Sequence, residues 1–262
     1  MLWTRLHVYV IIPTIIVSII VSYILAFSLK DKDEKKKMIP ITVVTVVLLL
    51  LEVWKQARGF VVGYDLYWLP FHFCSLFLYT LPLIAFYNGK YKEGVRVLAG
   101  TVAACLFMFM VVYPDVVYGE NAIISCYKYI TKQGGGFSEF HSVFFHGIAL
   151  FAYFLFAIQN ICKFDTKRDL KIIVLFFVGY CVIVGTLSQL IKTNFNNFYH
   201  SNAPFIEPIR ESMIDKWGYF GQIVYILMVS AGTIIVPILS YFVLRGMSFL
   251  NKKYIVKEKE NK

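Results

Sequence analysis

Residues 43–55 read Val-Val-Thr-Val-Val-Leu-Leu-Leu-Leu-Glu-Val-Trp-Lys, an apolar run that ends in two opposite charges. Before Glu52, the only polar residue in this run is Thr45. The apolar stretch extends over about residues 38–57, close to the ~20 residues that cross a bilayer as a helix. The stretch therefore predicts a membrane helix, and that helix carries the ionisable residues Glu52 and Lys55.

The composition of the whole chain supports a membrane location. Hydrophobic residues make up 58% of the 262 residues, aromatic residues make up 18%, and the mean hydropathy is +0.65. These values exclude an ordinary soluble domain. We count seven apolar stretches, at about 7–28, 38–57, 66–87, 97–113, 139–161, 172–191 and 218–244. The expected fold is all-α, a single polytopic bundle of seven transmembrane helices over residues 1–262.

Lysine and arginine residues indicate how the bundle is oriented. Eighteen of the 26 basic residues fall in alternate connections and in the segment from Arg245 onward. The positive-inside rule then predicts an N-terminus outside and a C-terminus in the cytoplasm, where residues 251–262 form a basic tail. Because these charges flank membrane spans, we expect anionic lipid headgroups as their partners and no nucleic acid.

Polar residues in four of the stretches are predicted to reach one depth, near the outer membrane face. They are Glu52, Lys55, His72, Cys74, His146 and Gln189. Ionisable groups within a membrane cost several kcal/mol unless they are paired or hydrated, so they usually face the bundle interior and mark a site. The sequence therefore predicts a buried polar site close to one face of the membrane.

Helical spacing indicates which of these side chains share a face. Glu52 and Lys55 are three residues apart and can neutralise each other, so a purely structural ion pair is an equally good interpretation. Ser142 and His146 lie on one face of the fifth stretch, whereas His141 points away from His146. We therefore favour His146 over His141. A histidine satisfied by a neighbouring carbonyl remains the alternative.

The third stretch has Pro70 near its first turn, with His72 and Ser75 on one face. In a continuous helix, Cys74 would lie about 200° round from His72, so the two need not serve the same pocket. A lone cysteine in a membrane helix is most often a small apolar residue. For Gln189, a hydrogen-bonded interface between helices is an equally good explanation.

Motifs for metals and cofactors are missing from the sequence. His72, His146 and Glu52 are residue types that zinc accepts, but no short ligand motif such as HExxH joins them. The five cysteines include no CxxC pair. Glycines 134–136 follow no strand, so they do not predict a phosphate loop. We therefore predict neither a metal nor a cofactor.

Three short motifs carry a family resemblance: Leu69-Pro-Phe-His-Phe-Cys-Ser-Leu76, His141-Ser-Val-Phe-Phe-His-Gly147 and Asn196-Asn-Phe-Tyr199. Over about residues 40–245, the chain resembles the YwaF-like bacterial membrane proteins, which look similar to the human transmembrane protein 164 acyltransferase. The resemblance implies a multi-pass protein of the bacterial plasma membrane. It also implies that membrane phospholipids are the partners, with an acyl chain passed from one lipid to another lipid or to water.

The resemblance suggests roles for particular residues. It implies His146 as the base, Cys74 or Ser75 as the nucleophile, and His72 or Lys55 as an electrostatic stabiliser. The sequence departs from the eukaryotic acyltransferases at Phe71, since their nucleophilic cysteine directly precedes the third-span histidine. The expected catalytic residues are His146, Cys74 and His72. The expected substrate-binding residues are Glu52, Lys55, Ser75, Ser142, Gln189 and Tyr199.

A different class of function fits the same residues. A seven-helix transporter or a receptor-like binder could use the polar cluster to hold a small polar ligand or a lipid. A transporter needs a polar path that continues through the membrane, yet the inner halves of the stretches, such as Val43 to Leu50, are poor in polar groups. We therefore favour a closed pocket and acyl chemistry. The sequence makes no prediction of the oligomeric state.

Overall fold

A computed structural model describes residues 3–119, 121–201 and 206–260, and these ranges contain helices and no strand. The helices are α1 (Arg5–Leu29), α2 (Glu34–Val62), α3 (Phe77–Phe86), α4 (Lys92–Val112), α5 (Pro114–Val117), α6 (Ala122–Ile130), α7 (Phe137–Ile158), α8 (Thr166–Leu190), α9 (Glu207–Trp217) and α10 (Tyr219–Glu260). The prediction of an all-helical fold is therefore confirmed for the described residues.

Within those ranges, six helices are long and apolar enough to cross a membrane: α1, α2, α4, α7, α8 and α10. They coincide with six of the seven predicted stretches, which confirms a multi-pass membrane protein. Several helices begin before the predicted stretches, because capping groups rather than hydropathy set their starts. The side chain of Asp33, for example, accepts a hydrogen bond from the Lys36 N–H at the start of α2.

Contacts between helix ends define two ends of the bundle. Glu34, at the start of α2, lies 2.7 Å from Lys92 and 2.6 Å from Arg96, at the start of α4. We call this the basic end. At the opposite end, Trp54 near the end of α2 packs against Phe137 at the start of α7, with ring centroids 4.8 Å apart. We call this the site end. Since α2 and α4 run in the same direction, the chain must return the length of the bundle between them.

The returning segment is not the continuous helix that the sequence predicts for residues 66–87. Two short 3₁₀ turns, Leu66–Trp68 and Phe73–Leu76, precede α3. Pro70 explains the interruption, because proline has no N–H and biases the residue before it toward extended backbone. Leu69 is extended accordingly, at φ −56° and ψ 141°. The predicted 200° separation of Cys74 from His72 therefore does not apply.

Two helices, α4 and α7, form the centre of the bundle. In each, 67% of the membrane-length window is buried, whereas the other spanning helices reach a third at most. Small residues in α4 allow this close packing. A Cβ added at Gly100 would lie 2.8 Å from the Leu244 side chain and 3.3 Å from that of Phe156. The outer helices expose apolar side chains around this centre, as membrane-facing helices do.

The predicted basic tail begins inside α10, which continues to Glu260. Asn251 anchors this region at the basic end, because its amide donates to the Ala157 carbonyl at 3.2 Å and its oxygen accepts from the Tyr23 hydroxyl. Side chains beyond Lys253 and residues 261–262 lie outside the described part of the chain, and so does most of the predicted tail.

Candidate functional site

The carboxylate of Glu52 is buried near the site end of α2, with 7% of the residue exposed. Its Oε1 lies 2.8 Å from Lys55 Nζ and accepts from Gln56 Nε2 at 2.6 Å. Gln56 also donates to the Trp68 carbonyl at 2.8 Å, which connects α2 to the interrupted segment. The charge of Glu52 is therefore paired and hydrogen-bonded, as burial requires. The ion pair that spacing predicts is present.

His141 belongs to the same cluster, although helical spacing favours His146. Its Nε2 lies 3.8 Å from Glu52 Oε2, and this buried nitrogen has no hydrogen-bond partner. His141 and His146 point in different directions from α7, as predicted. Because α7 lies at the centre of the bundle, both directions lead toward other helices rather than toward lipid. Its first turns face α2, so His141 reaches Glu52. Only knowledge of which helix lies opposite could reveal that contact.

His146 has the local partner that the sequence left open as an alternative. Its Nδ1 lies 2.7 Å from the Ser142 carbonyl and 3.2 Å from the Ser142 hydroxyl. A carbonyl can only accept, so Nδ1 carries the proton and Nε2 of the neutral ring carries the lone pair. The ring of Tyr118 meets the imidazole edge-on at 5.8 Å. The local bond fixes the tautomer and leaves Nε2 as the basic nitrogen.

His72 lies in the non-helical part of the interrupted segment, and the same reasoning applies to it. Its Nε2 donates to the Tyr67 carbonyl at 2.8 Å, so Nδ1 carries the lone pair of the neutral ring. The ring packs against Phe195 at 5.2 Å. The thiol of Cys74 interacts with the buried Ser75, and the described residues show no hydrogen bond from it to a histidine.

The positive charge of Lys55 acts on four other side chains of the cluster: His72, Cys74, His141 and His146. Its side chain is only 13% exposed. The described structure therefore brings one cation, one carboxylate, three imidazoles and one thiol to the site end of the core. The interrupted backbone of the third segment allows this arrangement, because His72 and Cys74 do not belong to a regular α-helix.

A loop after α8 holds the interrupted segment in place. Asn196 accepts from the Phe73 N–H at 2.8 Å and donates to the Phe71 carbonyl at 3.4 Å. The Tyr180 hydroxyl donates to the same carbonyl at 2.8 Å. Asn196 has a φ of 50°, a left-handed conformation that asparagine tolerates better than most residues. The sequence marks Asn196 only as part of a motif, and its positioning role comes from the structure.

Gln189 and Tyr199, both predicted to bind substrate, lie in this supporting loop network. Gln189 Nε2 donates to the Phe198 carbonyl at 2.7 Å. Gln222 of α10 donates to the Tyr199 carbonyl at 3.0 Å and lies 3.4 Å from Gln189 Oε1. These contacts join the end of α8 to the start of α10. The hydrogen-bonded interface that the sequence leaves open for Gln189 is therefore present.

The short helix α9 contains an ion pair outside the membrane-spanning helices, and a hydrogen bond to its carboxylate attaches α9 to this loop. Glu207 pairs with Arg210 and accepts from the Ser201 N–H at 2.6 Å. The hydrogen bond from Arg210 lowers the pKa of the Glu207 carboxyl below its usual value. Arg210 also lies 3.2 Å from Gln222, so the ion pair continues the supporting network.

The groups at the site end could act as nucleophile, base and oxyanion stabiliser. In the described ranges, no group of three or more His, Cys, Asp or Glu side chains is arranged to hold a metal ion. The side chains of the cluster offer a thiol, imidazole lone pairs and an ammonium group.

A multi-pass helical bundle with these ionisable groups buried at one end of its core defines a membrane protein with an intramembrane polar site. The chain belongs to the TMEM164 family, whose sequence model matches residues 2–243. No curated protein and no solved structure gives a significant match.

Proposed function

We propose that this protein is a lipid acyltransferase, or a lipid-ester hydrolase, with its site in the membrane. The observation that carries the proposal is the buried pair of Lys55 and Glu52, 2.8 Å apart, with His141 3.8 Å from the same carboxylate. The charge of Lys55 also acts on Cys74, His72 and His146. Acyl transfer needs a nucleophile, a base and a group that stabilises the oxyanion. Membership of the TMEM164 family supports a membrane setting for this chemistry.

In the proposed reaction, a histidine takes the proton of the Cys74 thiol, and the thiolate attacks the carbonyl carbon of a lipid ester. The ester C–O bond breaks, a thioester forms, and the departing lysolipid oxygen takes the proton from the histidine. The hydroxyl of a second lipid, or water, then attacks the thioester and gives its proton through the histidine to the sulfur. Lys55 stabilises the oxyanion in both steps.

Either histidine lone pair, His146 Nε2 or His72 Nδ1, is suited to the role of base. The thiol of Cys74 interacts with Ser75, so the reaction requires it to turn toward an imidazole. Catalytic hydrogen bonds often form only when substrate is bound. Glu52 holds the Lys55 ammonium at 2.8 Å and so positions the cation.

The proposal includes the topology and location of the protein. The interrupted segment completes a seventh crossing, the N-terminus lies outside, and the site end faces outward in a bacterial plasma membrane, as expected of a YwaF-like protein. Supporting this orientation, the basic end collects the positive connections, including Lys92, Arg96 and Arg168. The lipid acted upon is then in the outer leaflet.

Mass-spectrometric lipid analysis tests the proposal. Purified protein is incubated with phospholipid carrying a labelled acyl chain, and wild type is compared with Cys74→Ala, His72→Ala and His146→Ala. Transfer or release of the label should fall at least a hundredfold in Cys74→Ala and in one of the histidine variants. Cys181→Ala, a buried cysteine on α8, serves as the matched control and should keep its activity.

Turnover that survives in Cys74→Ala and in both histidine variants would contradict the proposal. A lipid that copurifies intact with the wild-type protein and never turns over would also contradict it, and would favour the binding or transport class of function.

A further inference from the structure

A groove of about 490 Å³ runs between α2 and the interrupted segment. Its walls are mostly apolar and include Leu49, Val53 and Phe60 from α2, with Leu78 from α3 opposite. This volume lies within the range of small-molecule pockets. The groove is therefore large enough to hold part of an extended apolar molecule.

The outer rim of this groove lies on the lipid-facing surface of α2. Val53 is 64% exposed and Phe60 is 77% exposed. Both belong to a helix with the length and hydropathy of a membrane span. In a bilayer, acyl chains of surrounding lipids would meet these side chains directly, and water would not. The groove is thus accessible from the side, through the membrane.

The lining of the groove also includes polar residues, although its surface is almost entirely apolar. Glu52 and Gln56 line it, and Gln56 accepts from the Tyr64 hydroxyl. Lys55 lies next to Gln56 in the chain and contacts Glu52 at 2.8 Å. A molecule with a long apolar chain and a polar ester linkage would match this lining, with the ester beside Glu52 and Gln56.

We propose that the groove receives one acyl chain of a membrane phospholipid, which enters laterally from the bilayer between α2 and α3. The inference rests on the proposed function for the fate of the ester, and it adds the route by which the acyl chain reaches the site. The continuity of the groove with the Glu52–Lys55 pair favours a phospholipid chain over a helix of a second copy, which would bring no ester to these residues.

Photo-crosslinking tests the route independently of turnover. The full-length protein is placed in phosphatidylcholine vesicles that contain a phosphatidylcholine with a diazirine in the middle of one acyl chain. After illumination, adducts are mapped by mass spectrometry. The adducts are expected at Leu49, Val53 and Leu78. Labelling at these positions should exceed that at Leu50 at least fivefold, because Leu50 is 63% exposed but does not line the groove.

Variants that fill the groove make the test specific. Ala57→Trp places a large ring in the groove at an exposed position, so it should leave the fold intact, and it should reduce groove labelling at least fivefold. Leu49→Trp should act in the same way. Leu50→Trp is the matched control on the neighbouring face of α2 and should leave the labelling unchanged.

The outcomes separate this inference from the proposed function. Equal labelling at Leu49 and Leu50, or labelling that Ala57→Trp does not change, would overturn the lateral route even if lipid turnover continues. Groove-specific labelling that Ala57→Trp removes would establish the route even if no acyl transfer is found, in which case the enzymatic proposal alone would fail.

Discussion

Lys55 is the residue whose replacement tests the site most directly, because it pairs with a buried carboxylate and lies within range of the histidines. The sequence predicts both the charge of Lys55 and its pairing with Glu52. It does not predict that His141 lies beside the same carboxylate. Helical spacing describes one helix at a time, whereas the contact between His141 and Glu52 depends on how α7 faces α2.

We expect Lys55→Met to destabilise the fold by about 3 kcal/mol, because removal of one partner leaves a buried charge unpaired. Glu52 would keep only its hydrogen bond from Gln56. Thermal unfolding in detergent measures the effect. The double variant Lys55→Met with Glu52→Leu should recover most of the loss without recovering activity. A single variant as stable as wild type would contradict the stabilising role of the pair.

At the scale of elements, the sequence predicts that the interrupted segment is apolar but does not predict that its backbone is broken. Pro70 lies near the start of the third predicted stretch, of which only a short helix, α3, is present in the structure. The pattern does not say whether a proline near a helix start begins the helix or breaks it. Here the backbone groups freed by the break find partners in Asn196 and Tyr180, more than a hundred residues away.

Asn196→Ala should disrupt the site, because it leaves the Phe73 N–H without its acceptor and places alanine at a φ of 50°. Asn196→Gly separates the two effects, since glycine accepts this φ but lacks the amide. We expect acyl transfer to fall at least tenfold in both variants, and unfolding to occur at lower temperature mainly in Asn196→Ala. Full activity in Asn196→Gly would remove the positioning role.

The ion pair of α9 gives a stability contribution that depends on pH. Arg210 lowers the folded-state pKa of Glu207, so this contribution is complete above the unfolded-state value, about 4.3, and is lost as the pH falls through the folded-state pKa. Between pH 6 and pH 3, the unfolding temperature of wild type should fall further than that of Glu207→Gln. Glu211→Gln, an exposed acid on the same helix, should follow wild type.

At the scale of the whole molecule, six membrane helices could be predicted from apolar length alone, and the structure confirms them. The central position of α4 and α7 could not be predicted. Their hydropathy does not exceed the range found in the outer helices. Burial depends on small residues such as Gly100 that allow neighbours to approach, and hydropathy does not register that property.

The topology is tested by cysteine labelling in intact cells. In a background without the native cysteines, Gln133→Cys is exposed between α6 and α7, and Lys167→Cys is exposed at the start of α8. A membrane-impermeant maleimide should label Gln133→Cys in intact cells and Lys167→Cys only after lysis. The reverse pattern would place the site end in the cytoplasm and the proposed substrate in the inner leaflet.

The interrupted segment also bears on how the protein is made. Lipid does not tolerate unsatisfied backbone groups, and ten residues of helix are too few to cross a bilayer. The partner of the Phe73 amide, Asn196, is synthesised more than a hundred residues later. A nascent chain therefore cannot complete this part of its structure until α8 and the loop after it have been translated. We expect the final folding step to begin only once Asn196 has left the ribosome, after the third segment has already entered the membrane, and chains truncated before Asn196 to be substrates for membrane proteases.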